Sequence, residues 1–372
     1  MQVHFSDQAG AAIQAVLVFA DRPELPALGR LDVAAHDLLR QGLQARAFKA
    51  DVGDVVELLL PVAGGMQRLI VLGGGRSADF GDGQAGKAGR ALLAVPGCAG
   101  ATIDLYGGGS AALAARVGFG LRLASYRDDR FRSTAKDEAP AGVRLILDDE
   151  AVAKAAEATF APLAALADGV ALARDLANAP PNYMTPALFA RHCQQLADYG
   201  IGVELLGVET LTELGMGALL GVGQGSTAPP CVVVLRWNGT SAGDGERAPL
   251  VLAGKGVTFD SGGLLPKQPE EMWDMKYDRA GAAAVAGTLL ALAARRAPVD
   301  VVGILGLAEN MPSGHALRPG DVVTSHSGQT IEVLHTDAEG RLVLADLLSY
   351  ARQRFAPSAM IDIATLTGGL TA

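Results

Sequence analysis

Four carboxylates of this chain stand where charge is costly. Asp260 closes the run PLVLAGKGVTFDSGG, an apolar strand pattern that carries Lys255 and ends in a glycine turn. Asp278 lies in DMKYDRAGAAAVAG, at the entrance of a helical pattern, where by itself it reads equally as a helix cap. Asp337 and Glu339 fall in LHTDAEGRLVLADLL, between the apolar IEVL and an apolar helix, with Arg341 two residues further on. In an extended segment, residues spaced two apart project to one side, so these three would face one way. Two carboxylates so placed repel unless something positive lies between them, and buried carboxylates need partners or metal ions. Four such groups at the ends of core elements are what an oxygen-rich site for paired divalent ions requires. Lys255 leaves two readings open, a lysine paired with these acids or a neutral amine ligand beside a dication.

The elements that must position these residues alternate between strand and helix patterns. With 372 residues, two domains are expected. Hydrophobic residues at 49% and charged ones at 19% describe a globular chain, and 47 glycines with few aromatics favour an α/β enzyme rich in tight turns. The first part reads as AAIQAVLVFA, LDVAAHDLLRQGL, VVELLLPVAG and RLIVLGGG, then an Ala/Gly-rich helical stretch to about Leu123. The polar run SYRDDRFRSTAKDEAPAG is a loop, GVRLILDD a strand, and Ala151 to Asn178 a long helix closed by APPNYMTP. The boundary is placed near Asp149, giving an N-terminal α/β domain over 1–149 and a larger α/β domain over 150–372 that holds the chemical clusters. Its strands, CVVVLRWNG, PLVLAGKG, VVGILGLAEN and AMIDIATLTGG, are mostly apolar throughout, as in a sheet covered on both faces.

A net charge of −9 argues against a nucleic-acid partner, since phosphate neutralisation needs a Lys/Arg excess. The three cysteines, Cys98, Cys193 and Cys231, are widely spaced and form no disulfide framework or zinc motif. The start MQVHFSDQAGAA has no basic, then apolar, leader pattern, and no charge-free run is long enough to span a bilayer. A cytosolic protein with no membrane partner is the expectation.

GKGVTFDSGG, LLPK, DMKYDRAGAAA, ENMPSGHALRPGDV and TDAEGRLVLAD, in this order, resemble the signature segments of the leucyl aminopeptidase family, peptidase family M17. The similarity runs from about Arg174 to the end, with RDLANAPPN and GMGALLGVGQGS included, and is weak in the first domain. It implies a smaller N-terminal α/β domain and a larger catalytic domain with a mixed sheet flanked by helices. It further implies an aminopeptidase that releases leucine-like N-terminal residues from peptides, with two divalent ions, Mn or Zn, in a homohexamer. By position, the metal ligands are Lys255, Asp260, Asp278, Asp337 and Glu339. Asp260 and Glu339 bridge, Lys255 and Asp278 complete one site, and Asp337 completes the other. The resemblance makes Lys267 and Arg341 the catalytic residues, the first for the oxyanion and the second to hold a bicarbonate that serves as general base. Met275 would line the substrate side-chain pocket, and Thr365, Leu366 and Gly368 would contact substrate.

Two positions depart from the pattern. His335 stands where the family usually has Asn, and strand alternation would turn it toward the site as a hydrogen-bonding neighbour. The chain stops at Ala372 soon after IDIATLTGG, where relatives continue, so uncovered apolar surface, poor solubility and weak activity are expected of it. Two rival readings are a catalytically silent binding or scaffold protein and a dinucleotide-dependent enzyme built on Gly221 to Ser226. The complete acidic set opposes the first, and GVGQGS lacks the third glycine the second needs.

Overall fold

A computed structural model describes residues 1–22, 33–62, 65–98, 100–106, 109–134, 140–240 and 248–368. Residues 135–139 of the polar run expected as a loop, and the last residues to Ala372, lie outside these. The chain divides into two compact units, Met1–Ala167 and Asp168–Ala372. The dividing point falls inside one long helix.

The first unit holds strands β1 (Gln2–Ser6), β2 (Ile13–Val18), β3 (Val55–Val62), β4 (Gly65–Gly73), β5 (Thr102–Tyr106) and β6 (Gly142–Ile146). They form one sheet in the order β1-β6-β5-β2-β4-β3, parallel except for β3 against β4. Helices α1 (Val33–Ala45), α2 (Asp82–Leu93) and α3 (Ala111–Ala124) accompany it, and α4 (Glu150–Asn178) is the long helix. Separate apolar clusters form around Ile70, Leu105 and Val143 and around Val16, Leu69 and Val71, as a covered sheet requires. The stretch read as continuously helical up to Leu123 is interrupted by β5, where TIDLY packs Ile103 and Leu105 into the core around a buried Asp104. β1 stands out less, since QVHFS is short and its apolar Val3 and Phe5 are only partly buried against the core. By length and composition α4 could cross a membrane, yet Ala153, Ala156 and Phe160 are buried in the first unit. Phe160 packs on Phe5 with ring centroids 5.3 Å apart.

The second unit begins with the remainder of α4 and continues with α5 (Pro186–Gln194), β7 (Gly202–Leu206), α6 (Val208–Glu213), α7 (Gly217–Gly223), β8 (Cys231–Asn238) and β9 (Leu250–Asp260). Then come α8 (Pro269–Met272), a 3-10 stretch Trp273–Arg279, α9 (Ala280–Ala294) and β10 (Asp300–Asn310). A short hairpin, β11 (Val322–Thr324) with β12 (Thr330–Glu332), precedes α10 (Glu339–Phe355) and β13 (Ala359–Ile363). The sheet runs β13-β9-β10-β8-β7 and is mixed: β13, β9 and β10 are parallel, while β8 is antiparallel to β10 and β7.

Both central strands, β9 and β10, are buried almost throughout, so their apolar runs pack on two sides. One side carries α9, whose AGAAAVAG start lets it lie close to the sheet, with Ala282, Val285 and Leu289 in the core. The other carries α10, which turns Leu342, Val343 and Leu347 inward and leaves Arg341 and Arg352 outside. Each such buried aliphatic side chain contributes about 1.5–3 kcal/mol. β13 is an edge of this sheet, and its apolar Met360 and Ile361 are 38% and 50% exposed. The segment Gly221 to Ser226 is the end of α7 and the turn after it. Ser226 donates there to Glu309.

Candidate metal centre

Parallel strands β9 and β10 end together, with Asp260 paired in register to Asn310. In open α/β sheets the carboxyl ends of such strands are where ligands sit. Asp260 is the last residue of β9, and the chain then reverses through Gly262 and Gly263, at φ +87° and +67°. A Cβ on Gly262 would lie 2.4 Å from the Leu265 carbonyl oxygen and 3.0 Å from Asp337 Oδ1, so the turn demands glycine there. This reversal brings Lys267 back over the strand end. Its ammonium lies 2.9 Å from Asp260 Oδ2 and 2.5 Å from Asp337 Oδ1.

Lys255, halfway along β9, points to the same region and is almost fully buried. Its Nζ is 2.6 Å from Asp278 Oδ1 and 2.7 Å from Glu339 Oε1, and it donates to the Thr365 carbonyl at 3.0 Å. Asp278 is not a helix cap: Arg279 is the cap residue of α9, without a side-chain cap bond, and Asp278 faces Lys255 and accepts from Thr365 Oγ1 at 2.8 Å. Asp337 and Glu339 come together by a route other than extended alternation. Residues 336 and 337 form a turn, and Glu339 is already the first residue of α10, so turn and helix start, not a strand, bring the two to one place. Arg341, in the first helical turn, is exposed and has no ion pair or hydrogen bond among the described residues.

The electrostatics follow from these distances. Four carboxylates face two ammoniums, which leaves an excess of negative charge in a largely buried space. Burial pushes Asp278 up to about 8, with Lys255 opposing, and raises Glu339, with Asp260 adding repulsion. Burial alone would lower Lys255, but the charges of Asp278 and Glu339 outweigh it and hold the ammonium above its ordinary value. Both directions arise because one ammonium is shared by two acids. Burial also opposes the charge of Lys267, and its bonds to Asp337 and Asp260 raise it nonetheless. Two buried oxygens, Asp278 Oδ2 and Glu339 Oε2, have no hydrogen-bond donor. Oxygens from Asp260, Asp337 and Glu339 lie within 4.8 Å of one another, a spacing that fits a shared cation. An excess of buried, undonated carboxylate oxygen is the donor chemistry divalent ions need, so the residues fit such a group.

Other residues named from the sequence are placed as follows. Met275 is half-buried in the 3-10 stretch that carries Asp278. Thr365 touches both Lys255 and Asp278, Leu366 is 43% exposed beside Gly340, and Gly368 has open space around it. His335 does not reach into the cluster with a donor: its Nδ1 accepts the Asp337 backbone N–H at 3.2 Å and the ring is exposed. Three supporting residues were missed. Asn310 donates to Asp260 Oδ1, and Thr336 Oγ1 donates to the Gly262 carbonyl at 2.6 Å while accepting Leu265 N–H at 3.0 Å. Arg279, wholly buried, donates to the carbonyls of Leu176 and Thr258, each at 2.9 Å, and also to those of Ala177, Ala179 and Met184. It thereby ties APPNYM to β9 beside Asp278. Burial lowers its pKa to about 10. Polar residues inside matched segments were the available signal, but nothing in sequence distinguishes such a tie from a solvated side chain.

Two α/β units, the second with a carboxylate cluster at its strand ends whose oxygens suit a divalent cation, define the class: an α/β protein with a candidate metal centre. The chain belongs to the cytosol aminopeptidase family, peptidase family M17, and is thereby a hydrolase of the peptidase class. The family's catalytic domain matches residues 171–372 and its N-terminal domain residues 15–135. A probable cytosol aminopeptidase of Rhodopseudomonas palustris (strain BisA53) is 45% identical over 344 residues, covering 90% of this chain and 68% of the relative. One from Caulobacter vibrioides is 43% identical over 365 residues, covering 98% and 74%. Among solved structures, the bottromycin maturation enzyme BotP in complex with Mn is similar, with a TM-score of 0.79 and 36% identity, covering 96% of this chain and 73% of that one.

Proposed function

We propose that this chain is a two-metal aminopeptidase, with a leucine-like residue preferred at the substrate's N-terminus. The observation that carries the reading is the convergence of Lys255, Asp260, Asp278, Asp337 and Glu339 at one end of the sheet, with two buried oxygens left undonated. Asp260 and Glu339 are assigned as bridges, Lys255 and Asp278 to one ion, and Asp337 to the other. Manganese is the favoured ion, because the similar solved enzyme binds Mn. Bound ions supply Lewis acidity and an acidified water.

The chain's own residues do the rest. Lys267, held over the strand end, donates to the substrate carbonyl oxygen as it gains negative charge. Arg341 and the start of α10 hold a bicarbonate as general base. Met275, Thr365, Leu366 and Gly368 border the place where the first substrate residue lies. The functional division is 1–149 for the N-terminal domain and 150–372 for the catalytic domain, in a cytosolic homohexamer. The test is hydrolysis of leucine amide beside its N-acetylated form. Cleavage of the free amine alone is expected, because a centre specific for the first peptide bond must bind that amine. Equal cleavage of both would sink the exopeptidase reading.

A further inference from the structure

We propose that Asn310 is a positioning residue of the cation centre, selecting which oxygen Asp260 presents and fixing the gap between Asp260 and Asp337. It is the last residue of β10, buried, and the β9–β10 pairing shifts register between Ala308 and Asn310, which re-aims this side chain. Its amide has two hydrogens, and both are used. One goes to Asp260 Oδ1 at 2.8 Å, the other to the Thr336 carbonyl at 3.0 Å. Asp260 Oδ1 also accepts the Gly262 N–H at 2.9 Å. That oxygen is therefore saturated and turned inward, and Oδ2 alone faces Lys267 and Asp337. A carboxylate free to rotate would exchange its oxygens; two donors on one of them prevent this. Meanwhile the Asn310 backbone carbonyl accepts from Ser261 N at 3.0 Å and Ser261 Oγ at 2.7 Å, anchoring the start of the glycine turn. One residue thus ties the end of β9 to the turn that delivers Asp337.

The inference rests on the metal-centre reading, and the experiment separates the two. Mn2+ binding is measured by calorimetry on the wild-type chain, Asn310→Ala, Asn310→Ser and Leu211→Ala, with melting temperatures of the metal-free proteins beside it. Leu211→Ala opens a cavity in the apolar core under α6 and touches no residue of the centre, so it reports loss of structure alone. Asn310→Ala is expected to weaken Mn2+ binding roughly tenfold or more, the usual cost of losing a residue that orients a ligand. Asn310→Ser, which reaches at most one of the two acceptors and serves should the alanine variant fail to fold, should be weakened at least threefold. Leu211→Ala should lose comparable melting temperature yet keep Mn2+ affinity within about threefold. Asn310 variants that bind like wild type, or a Leu211→Ala loss as large as theirs, would overturn the positioning role alone. A wild-type chain that takes up no Mn2+ would overturn the metal centre and this role together.

Discussion

Gly340 is the second residue of α10, and a methyl group there would collide with the buried lysine of the centre. A Cβ built on it lies 2.7 Å from Lys255 Cε, 2.8 Å from Nζ and 2.9 Å from Leu366 Cδ1. The Lys255 tail cannot swing aside freely, because its ammonium is held by Asp278, Glu339 and the Thr365 carbonyl. Relieving the clash to an ordinary carbon contact needs a shift of about 1 Å. Overpacking of this kind costs about 1–3 kcal/mol, and weakening one hydrogen bond to a charged group costs about 1.5–3 kcal/mol. Gly340→Ala is thus expected to lose about 3–5 kcal/mol, a drop of roughly 6–20 °C in melting temperature for a unit of this size. Misalignment of Asp278 and Glu339 by about 1 Å should also cut leucine amide turnover by roughly a hundredfold. Gly314→Ala, with nothing within 4 Å, is the control and should change stability by less than about 0.5 kcal/mol. The assay is thermal unfolding with chelator and turnover with added Mn2+. A Gly340→Ala variant that melts with the wild type and turns over equally would show that the packing around Lys255 is looser than described.

Asp260→Asn should lower metal content at both positions and Asp337→Asn mainly at one; two ions per chain in both variants would refute the division into bridging and terminal roles. Lys267→Ala and Arg341→Ala should keep their ions while kcat falls, by roughly a hundredfold or more for Lys267, and unchanged turnover in Lys267→Ala would remove that residue from the chemistry. Uptake of Mn2+ should release protons, because Asp278, raised to about 8, and Glu339 must both be ionised to bind. Affinity therefore rises with pH, up to about tenfold per unit for each proton displaced, and keeps rising above about 8, because Lys255, held above its ordinary value, must also lose its proton to serve as a ligand; calorimetry in buffers of different ionisation enthalpy reads the release, and no buffer dependence at pH 7 would contradict the raised values.

The carboxylates were legible because acids at the ends of apolar runs are costly unless used, and Asp260, Asp278, Asp337 and Glu339 do converge in space. How they converge was not. Period-two spacing suggested a strand for Asp337 to Arg341, whereas a turn and a helix start bring Asp337 and Glu339 together, with Arg341 exposed in the first turn of the same helix. Local spacing does not separate these, since two residues apart is compatible with both. The cap reading of Asp278 failed for a related reason: a helix entrance and a partner arriving from β9 look the same in sequence. Strand patterns in the second unit were readable because β9 and β10 are apolar on both faces. β1 has no such run, and β5 is hidden between helices of similar composition. Asn310 and Arg279 depend on partners 50 and about 100 residues away, which no local pattern contains.

The most direct test of the account is elemental analysis of the purified chain carried out beside leucine amide turnover, before chelation, after it, and after stepwise return of Mn2+. Two ions per chain are expected, with turnover lost on chelation and regained as the second ion returns. Undiminished turnover in a preparation shown to be metal-free would contradict the central claim.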